Sequence, residues 1–262
     1  MTVVNVVLGP AAEIIPAASL PSRINASAVA VSTASASAAF ATAAVAETTS
    51  VSSPAPLFRL IRGAVLCNDA TFEAAPTSSA PHTPPALLPP PRIVGGNGTD
   101  KALLAWALSL GGAEERHGWL AVLRVPFSSA TKEALTVQSS TTSGAAIVFL
   151  KGAPDMLLPR CSAVYDEGGA AVPLDAPALD AYDEVLEALG HKGQRIIALC
   201  ERPLPRAEFP PGYDFDAEGP EPNFPIDDLI LVGLVAVTDP PRASTAAAVR
   251  ELRDAGVQVS WG

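Results

Sequence analysis

Ile147-Val148-Phe149-Leu150-Lys151-Gly152-Ala153-Pro154-Asp155 passes from four apolar residues to a lysine, a glycine and a proline. A short apolar run bounded by turn formers predicts a buried strand, and Pro154 suits the first turn of a helix, where its missing N–H is no loss. Lys151 and Gly152 then stand at the strand's end. One offers an ammonium, and the other a backbone unit without a side chain that a ligand can approach closely. Alone, the run suits an ordinary strand-to-helix turn equally well.

Outward from it, residues 119–125 and 145–150 read as strands joined by the turn-rich 139–144, and 194–200 as a further strand. Asp175 and Pro177 open a helix with Leu179, Tyr182, Leu186 and Leu189 inward and Gly190 as its stop. Upstream, Pro56 opens a helix whose face is Leu57, Leu60, Ile61 and Val65, ended by Asn68 and Asp69. Thr99 is read as the N-cap of another, with a stripe of Leu103, Trp106, Ala107 and Leu110 closed by Gly111 and Gly112. The expectation is an α/β (α+β) fold, an antiparallel sheet flanked by helices.

At the C-terminal end, residues 229–237 form a continuous apolar strand and Asp239-Pro240-Pro241-Arg242 a turn. Residues 244–254 read as a helix with Val249 and Leu252 inward, and 257–259 as the next strand. That order is the start of a parallel βαβ unit cut short at residue 262.

Residues 26–55 hold 12 alanines and 11 serines or threonines, too few large side chains to offset their ordering entropy, and read as a flexible insertion. An organelle transit peptide is the alternative for this Ser/Ala-rich, acid-poor start, although Arg23 is its only base before Arg59. Residues 76–92 carry seven prolines and read as an extended, poorly ordered surface loop. The expected partition is a mostly flexible 1–55, a domain over 56–228 interrupted at 76–92, and a C-terminal piece over 229–262.

A net charge of −10 argues against a nucleic-acid partner, which needs clustered positive charge. Cys67, Cys161 and Cys200 lie far apart, without the spacing of a zinc site or a disulfide framework, and suit a reducing compartment. His82, His117 and His191 have no metal-ligand spacing. No run of about 20 apolar residues exists to enter a bilayer directly. No P-loop or dinucleotide fingerprint occurs, and Gly95-Gly96-Asn97-Gly98 reads as a turn.

The sequence resembles the nucleotide-binding region of P-type cation-transporting ATPases, most of all the alpha subunits of sodium/potassium and proton/potassium pumps. The resemblance runs in order through Leu66-Cys67-Asn68-Asp69-Ala70, residues 96–104, Pro126-Phe127-Ser128-Ser129, the stretch from Lys151 to Asp155, and Gln194-Arg195. It continues through Asn223-Phe224-Pro225-Ile226-Asp227, Val232-Gly233-Leu234 and Asp239-Pro240-Pro241-Arg242. Even Met1-Thr2-Val3 looks like the segment that follows the family's phosphorylation loop.

The resemblance implies that Phe127 stacks on adenine, that Lys132 and Lys151 line the pocket and offset phosphate charge, and that Gly152 lets the base lie against the backbone. Asp100 stands where the family has a glutamate near the adenine amino group, Arg195 would reach the phosphates, and Cys200 would form pocket wall. Each has a plainer reading: a core phenylalanine, surface lysines, an acid favoured in a first helical turn, a buried cysteine. Asp239, Pro240, Pro241 and Arg242 would be the hinge toward a phosphorylation domain, two prolines stiffening the connection. Ala134 replaces a glutamine of the pumps, and Val259-Ser260-Trp261-Gly262 departs from the expected run.

The implied function is ATP binding, as Mg-ATP in an intact pump, with phosphorylation and transmembrane domains as partners. The chain has no Asp-Lys-Thr-Gly-Thr loop and no Gly-Asp-Gly motif, so it is not expected to hydrolyse ATP by itself. The implied place is the cytoplasmic side of a membrane protein. The alternative is a stand-alone, non-catalytic interaction or regulatory module with a degenerate nucleotide site.

Overall fold

A computed structural model describes residues 1–21, 55–73, 92–219, 221–240 and 244–260. Its centre is a nine-stranded sheet in the order β2-β1-β11-β10-β7-β6-β5. These are β1 (Thr2–Leu8), β2 (Glu13–Pro16), β5 (Trp119–Ser128), β6 (Glu133–Ser140), β7 (Ala146–Gly152), β10 (Arg195–Pro203) and β11 (Leu229–Thr238). Neighbours along this path are antiparallel. The short β8 (Cys161–Tyr165) pairs parallel with the start of β11 and antiparallel with β9 (Ala171–Pro173). A separate two-stranded ribbon joins β3 (Ala70–Glu73) to β4 (Arg92–Gly95).

Alternation along the strands builds two cores, one per face. Phe149 and Leu199 point toward α1 (Pro56–Leu66) and α2 (Gly98–Ser109), where Leu60, Ile61, Ala64, Leu103, Leu104 and Ala107 meet them. Val148, Leu150, Ala198 and Leu234 point the other way, onto α4 (Ala176–Gly190) through Ala178, Tyr182 and Leu189. Asp175 caps α4 by accepting from the Ala178 N–H at 3.1 Å, as its position before Pro177 suggests. The short α3 (Pro154–Leu157) starts directly after β7, on Pro154.

Three expectations are corrected. Residues 1–20 are not part of a flexible segment: Val3, Val6, Val7, Ile15 and Leu20 are buried, and β1 pairs with β11 over its length. The Ala/Ser/Thr stretch 26–55 lies outside the described residues save for Ala55, as do residues 76–91 of the Pro-rich loop. The boundary at 228/229 falls inside one sheet, because β11 sits between β1 and β10 and its apolar residues fill both faces. The cap of α2 is Asn97 rather than Thr99. Asn97 Oδ1 accepts from the Asp100 N–H and Asp100 Oδ2 accepts from the Asn97 N–H, a reciprocal capping box.

The βαβ start is not seen among the described residues. Both full-length neighbours of β11 are antiparallel, α5 (Thr245–Asp254) buries no residue, and Leu252 is 45% exposed. Residues 257–260 form no strand. Val249 and Leu252 thus have no core to enter here.

Candidate functional site

Five pieces of chain converge at one edge of the α1/α2 face: the start of β1, the N-terminus of α2, the β5–β6 hairpin, the end of β7 and the start of β10. They enclose a cavity of about 600 Å³ lined by Asn97, Thr99, Asp100, Phe127, Lys132, Lys151, Gly152 and Arg195 among others. Six of the seven residues expected from the sequence to surround a nucleotide are therefore brought together. Cys200 is the exception.

Strand geometry accounts for that exception. β10 pairs with β7 so that Leu199 opposes Lys151 and Cys200 opposes Leu150. Cys200 therefore shares Leu150's face, buried in the core under α4 and 3.5 Å from Cys161 Sγ. The Cys161 contact, together with burial, raises the Cys200 thiol well above its ordinary pKa. It is a core residue and no part of the cavity wall.

Lys151 continues Phe149's parity and enters the cavity floor, where its ammonium donates to Asp100 Oδ1. The pair is dry, with side-chain exposures of 6% and 2%. Asp100 is thus engaged at both oxygens, by Lys151 and by its own capping box. Directly beneath, Cys67 donates weakly to the carbonyls of Ala134 and Phe149, and burial pushes its thiol up to about 11, with Lys151 opposing and Asp100 reinforcing the rise. Ala134 is buried opposite Lys151, in the register where the pumps' glutamine was expected.

Gly152 has no room for a side chain. A Cβ there would lie 2.7 Å from the Lys132 carbonyl oxygen, which already accepts from the Ala153 N–H at 3.1 Å. Its first role is thus to let the β5–β6 turn cross the end of β7. Lys132 closes that turn at φ 54° and reaches Asp155 at 3.2 Å, a pair open to solvent and so weakly held.

Phe127, one residue before the end of β5, is 48% exposed, unusual for an aromatic residue of its size. Arg195 opens β10 and is exposed at the rim. The arrangement thus presents a flat apolar ring, one rim guanidinium and one exposed ammonium around a mostly apolar hollow. That combination suits a planar ring carrying anionic groups.

Asn97 and Thr99 also line the cavity, and sequence reasoning assigned neither to it. The Asn-x-x-Asp spacing before an apolar stripe was the signal available for Asn97. Of the proposed hinge, Asp239 and Pro240 follow β11 and are exposed, while Pro241 and Arg242 lie outside the described residues. Asp239 stands next to the start of β1, 3.4 Å from the Met1 nitrogen, so the end of β11 lies beside the residue with which the N-terminus lines the cavity.

Residues 57–244 match the family described as P-type ATPase, cytoplasmic domain N. The chain is 36% identical over 222 residues to the sodium/potassium-transporting ATPase subunit alpha-A of Artemia franciscana, covering 81% of this chain and 21% of that protein. It is also 36% identical over 211 residues to subunit alpha-1 of Oreochromis mossambicus, covering 79% and 20%, and over 203 residues to subunit alpha of Tetronarce californica, covering 76% and 19%. The chain spans about a fifth of the length of these relatives.

Proposed function

This chain belongs to the P-type ATPase cytoplasmic N domains, and from that premise we propose that its cleft holds the nucleoside end of ATP on behalf of a cation pump. The observation that carries the reading is the exposed Phe127 ring set beside Arg195 and Lys132 around a hollow of about 600 Å³. Volumes of a few hundred Å³ upward suit small ligands.

In this reading Phe127 stacks on the base, and Arg195 and Lys132 meet the phosphates, Lys132 leaving its exposed partner Asp155. Lys151 acts differently from a free phosphate cation. Its charge is matched by Asp100, so it sets the floor and holds the α2 N-terminus in place.

The γ-phosphate then projects toward a phosphorylatable aspartate outside this chain, and the hinge from Asp239 to Arg242 brings the two together. Magnesium would come with the nucleotide: the described residues hold no cluster of three or more potential ligands. The remaining domains of such a pump would include its transmembrane helices; no helix among the described residues is long and apolar enough to cross a membrane. The domain's place would be the cytoplasmic side, in a pump for monovalent cations.

Few charges and one ring make for weak binding, with Kd on the order of 0.1 to 1 mM. Equilibrium dialysis of the whole chain against ATP tests this. Saturable binding in that range supports the proposal, whereas no binding by the folded chain at about 10 mM ATP, or Kd below about 1 μM, counts against it.

A further inference from the structure

Cys161 and Cys200 stand 39 positions apart, with no spacing that marks them as a pair, yet the fold brings their sulfurs to 3.5 Å. After β7 the chain passes through α3 and a single 3-10 turn (Leu158–Arg160), packs Leu157 and Leu158 into the core on the α4 face, and enters β8 at Cys161. Cys200, on β10, belongs to that same core. Cys67, the third thiol, lies in the core on the other face of the sheet, bonded to the Ala134 and Phe149 carbonyls.

The contact between the two sulfurs has a direction. Cys161 Sγ donates to the Leu157 carbonyl at 3.3 Å, so the hydrogen shared between the sulfurs is the one on Cys200. Cys200 is 1% exposed, whereas Cys161 is only half-buried. A small solute therefore reaches Cys161 first, with Cys200 directly behind it.

Both cysteines also sit where the strand ladders are irregular. The pairing of β10 with β11 shifts register between Leu199 and Cys200, and that of β8 with β11 shifts just after Cys161. A disulfide has S–S of about 2.05 Å, so the sulfurs must approach by roughly 1.5 Å. A locally disrupted ladder yields to such a movement more readily than a regular one.

We propose that Cys161 and Cys200 form an oxidisable dithiol that hydrogen peroxide closes to a disulfide, fastening the strap between β7 and β8 onto β10. Cys161, as thiolate, attacks one peroxide oxygen; the O–O bond breaks, the other oxygen leaves as hydroxide and becomes water on taking a proton, and Cys161 becomes a sulfenic acid. The Cys200 sulfur then attacks the Cys161 sulfur; the S–O bond breaks and the departing hydroxide takes the Cys200 proton as a second water. The two sulfurs lose two electrons and the peroxide gains them. The contact with Cys161, together with burial, holds the Cys200 thiol protonated, so it resolves the sulfenic acid rather than starting the reaction. The pair is independent of the proposed nucleotide site.

The test treats the whole reduced chain with hydrogen peroxide, unfolds it in iodoacetamide and weighs it before and after proteolysis. The expected product has lost two hydrogens, about 2 Da, leaves only Cys67 of the three thiols open to alkylation, joins the Cys161 peptide to the Cys200 peptide, and reverts with dithiothreitol. Three alkylatable thiols after treatment, or oxygens added to Cys161 while Cys200 remains alkylatable, would overturn the proposal. With Cys200→Ser the cross-link should vanish and Cys161 should collect oxygens instead, whereas Cys67→Ala should still lose two hydrogens. Persistence of the loss in Cys200→Ser would place the bridge elsewhere and also overturn it. The oxidised wild-type chain should unfold at higher urea than the reduced one, since the bridge closes a loop between positions 39 apart. A lower midpoint would show the strands to be forced together, against a pair that the fold holds ready to close.

Discussion

Two hollows of nearly equal size, about 600 and about 590 Å³, open on this domain and differ in what surrounds them. The first is lined by Lys132, Lys151 and Arg195, with Asp100 as the only acid and an exposed phenylalanine at its mouth. The second lies between the turn after β1, the first turn of α1 and the β8–β9 turn; among the described residues it carries Glu13, Asp166 and Glu167 and no lysine or arginine. Size therefore does not separate them. Charge does: three bases and one acid line the first and three acids the second, so the proposed polyphosphate ligand suits the first, in a chain whose net charge is −10.

The largest expected effect comes from Lys151→Glu, which buries two carboxylates face to face beneath the first hollow. Breaking a dry pair costs about 3–5 kcal/mol, so urea denaturation should show at least that loss, with ATP binding abolished. A stable variant that still binds ATP would mean that the floor does not matter to the first hollow.

Next in size is an alkaline weakness beneath the same floor. Cys67 keeps its proton up to about 11 in the folded state against 9.0 ordinarily, so the unfolded chain loses its proton first. Stability from this source is whole below pH 9 and falls as pH rises toward 11, by on the order of 2 kcal/mol. Cys67→Ala should lose correspondingly less than wild type between pH 8 and pH 11 in denaturant melts. Equal losses would show that the floor is wetter than its burial indicates.

Smaller again, Phe127→Ala should weaken ATP binding by about tenfold, one stacking contact, and change stability by less than about 0.5 kcal/mol because the ring is so exposed. Unaltered affinity would break the contrast between the hollows. The smallest effect is expected in the second hollow: Asp166→Ala combined with Glu167→Ala should leave the Kd for ATP within about twofold. A tenfold gain or loss would make the second hollow the nucleotide's address.

What the sequence disclosed and withheld follows the same division. α4 was legible because Asp175, Pro177 and a helical apolar stripe agree. β6 was not: it is buried on both faces, so Thr136 and Gln138 lie inside, bonded to the Leu123 and Leu66 carbonyls, and no alternation survives. Residues 119–125 and 145–150 read as strands and 139–144 as the turn between them, but residues 133–138, most of β6, carry no strand signal of their own. The residues around the first hollow were reached through resemblance to a family rather than through their spacing, since they are scattered from Asp100 to Arg195.

The side of the sheet that each strand residue faces was not legible, and Cys200 shows why. It depends on β10 pairing with Leu199 opposite Lys151, and register is set by contacts far apart in the chain. The same limit hid the pairing of Lys151 with Asp100, 51 residues away. The flexible reading of the N-terminus failed for a related reason. β1 is rich in valine, but it is only seven residues long and its partner β11 lies more than two hundred residues on.

The most direct test of the central claim is an amide chemical-shift map of the whole chain titrated with ATP, read at both hollows together. Saturable shifts should appear at Phe127, Gly152 and Arg195, with none at Gly9 and Gly168. Shifts centred on Gly9 and Gly168, or none anywhere up to about 10 mM ATP in a folded sample, would contradict it.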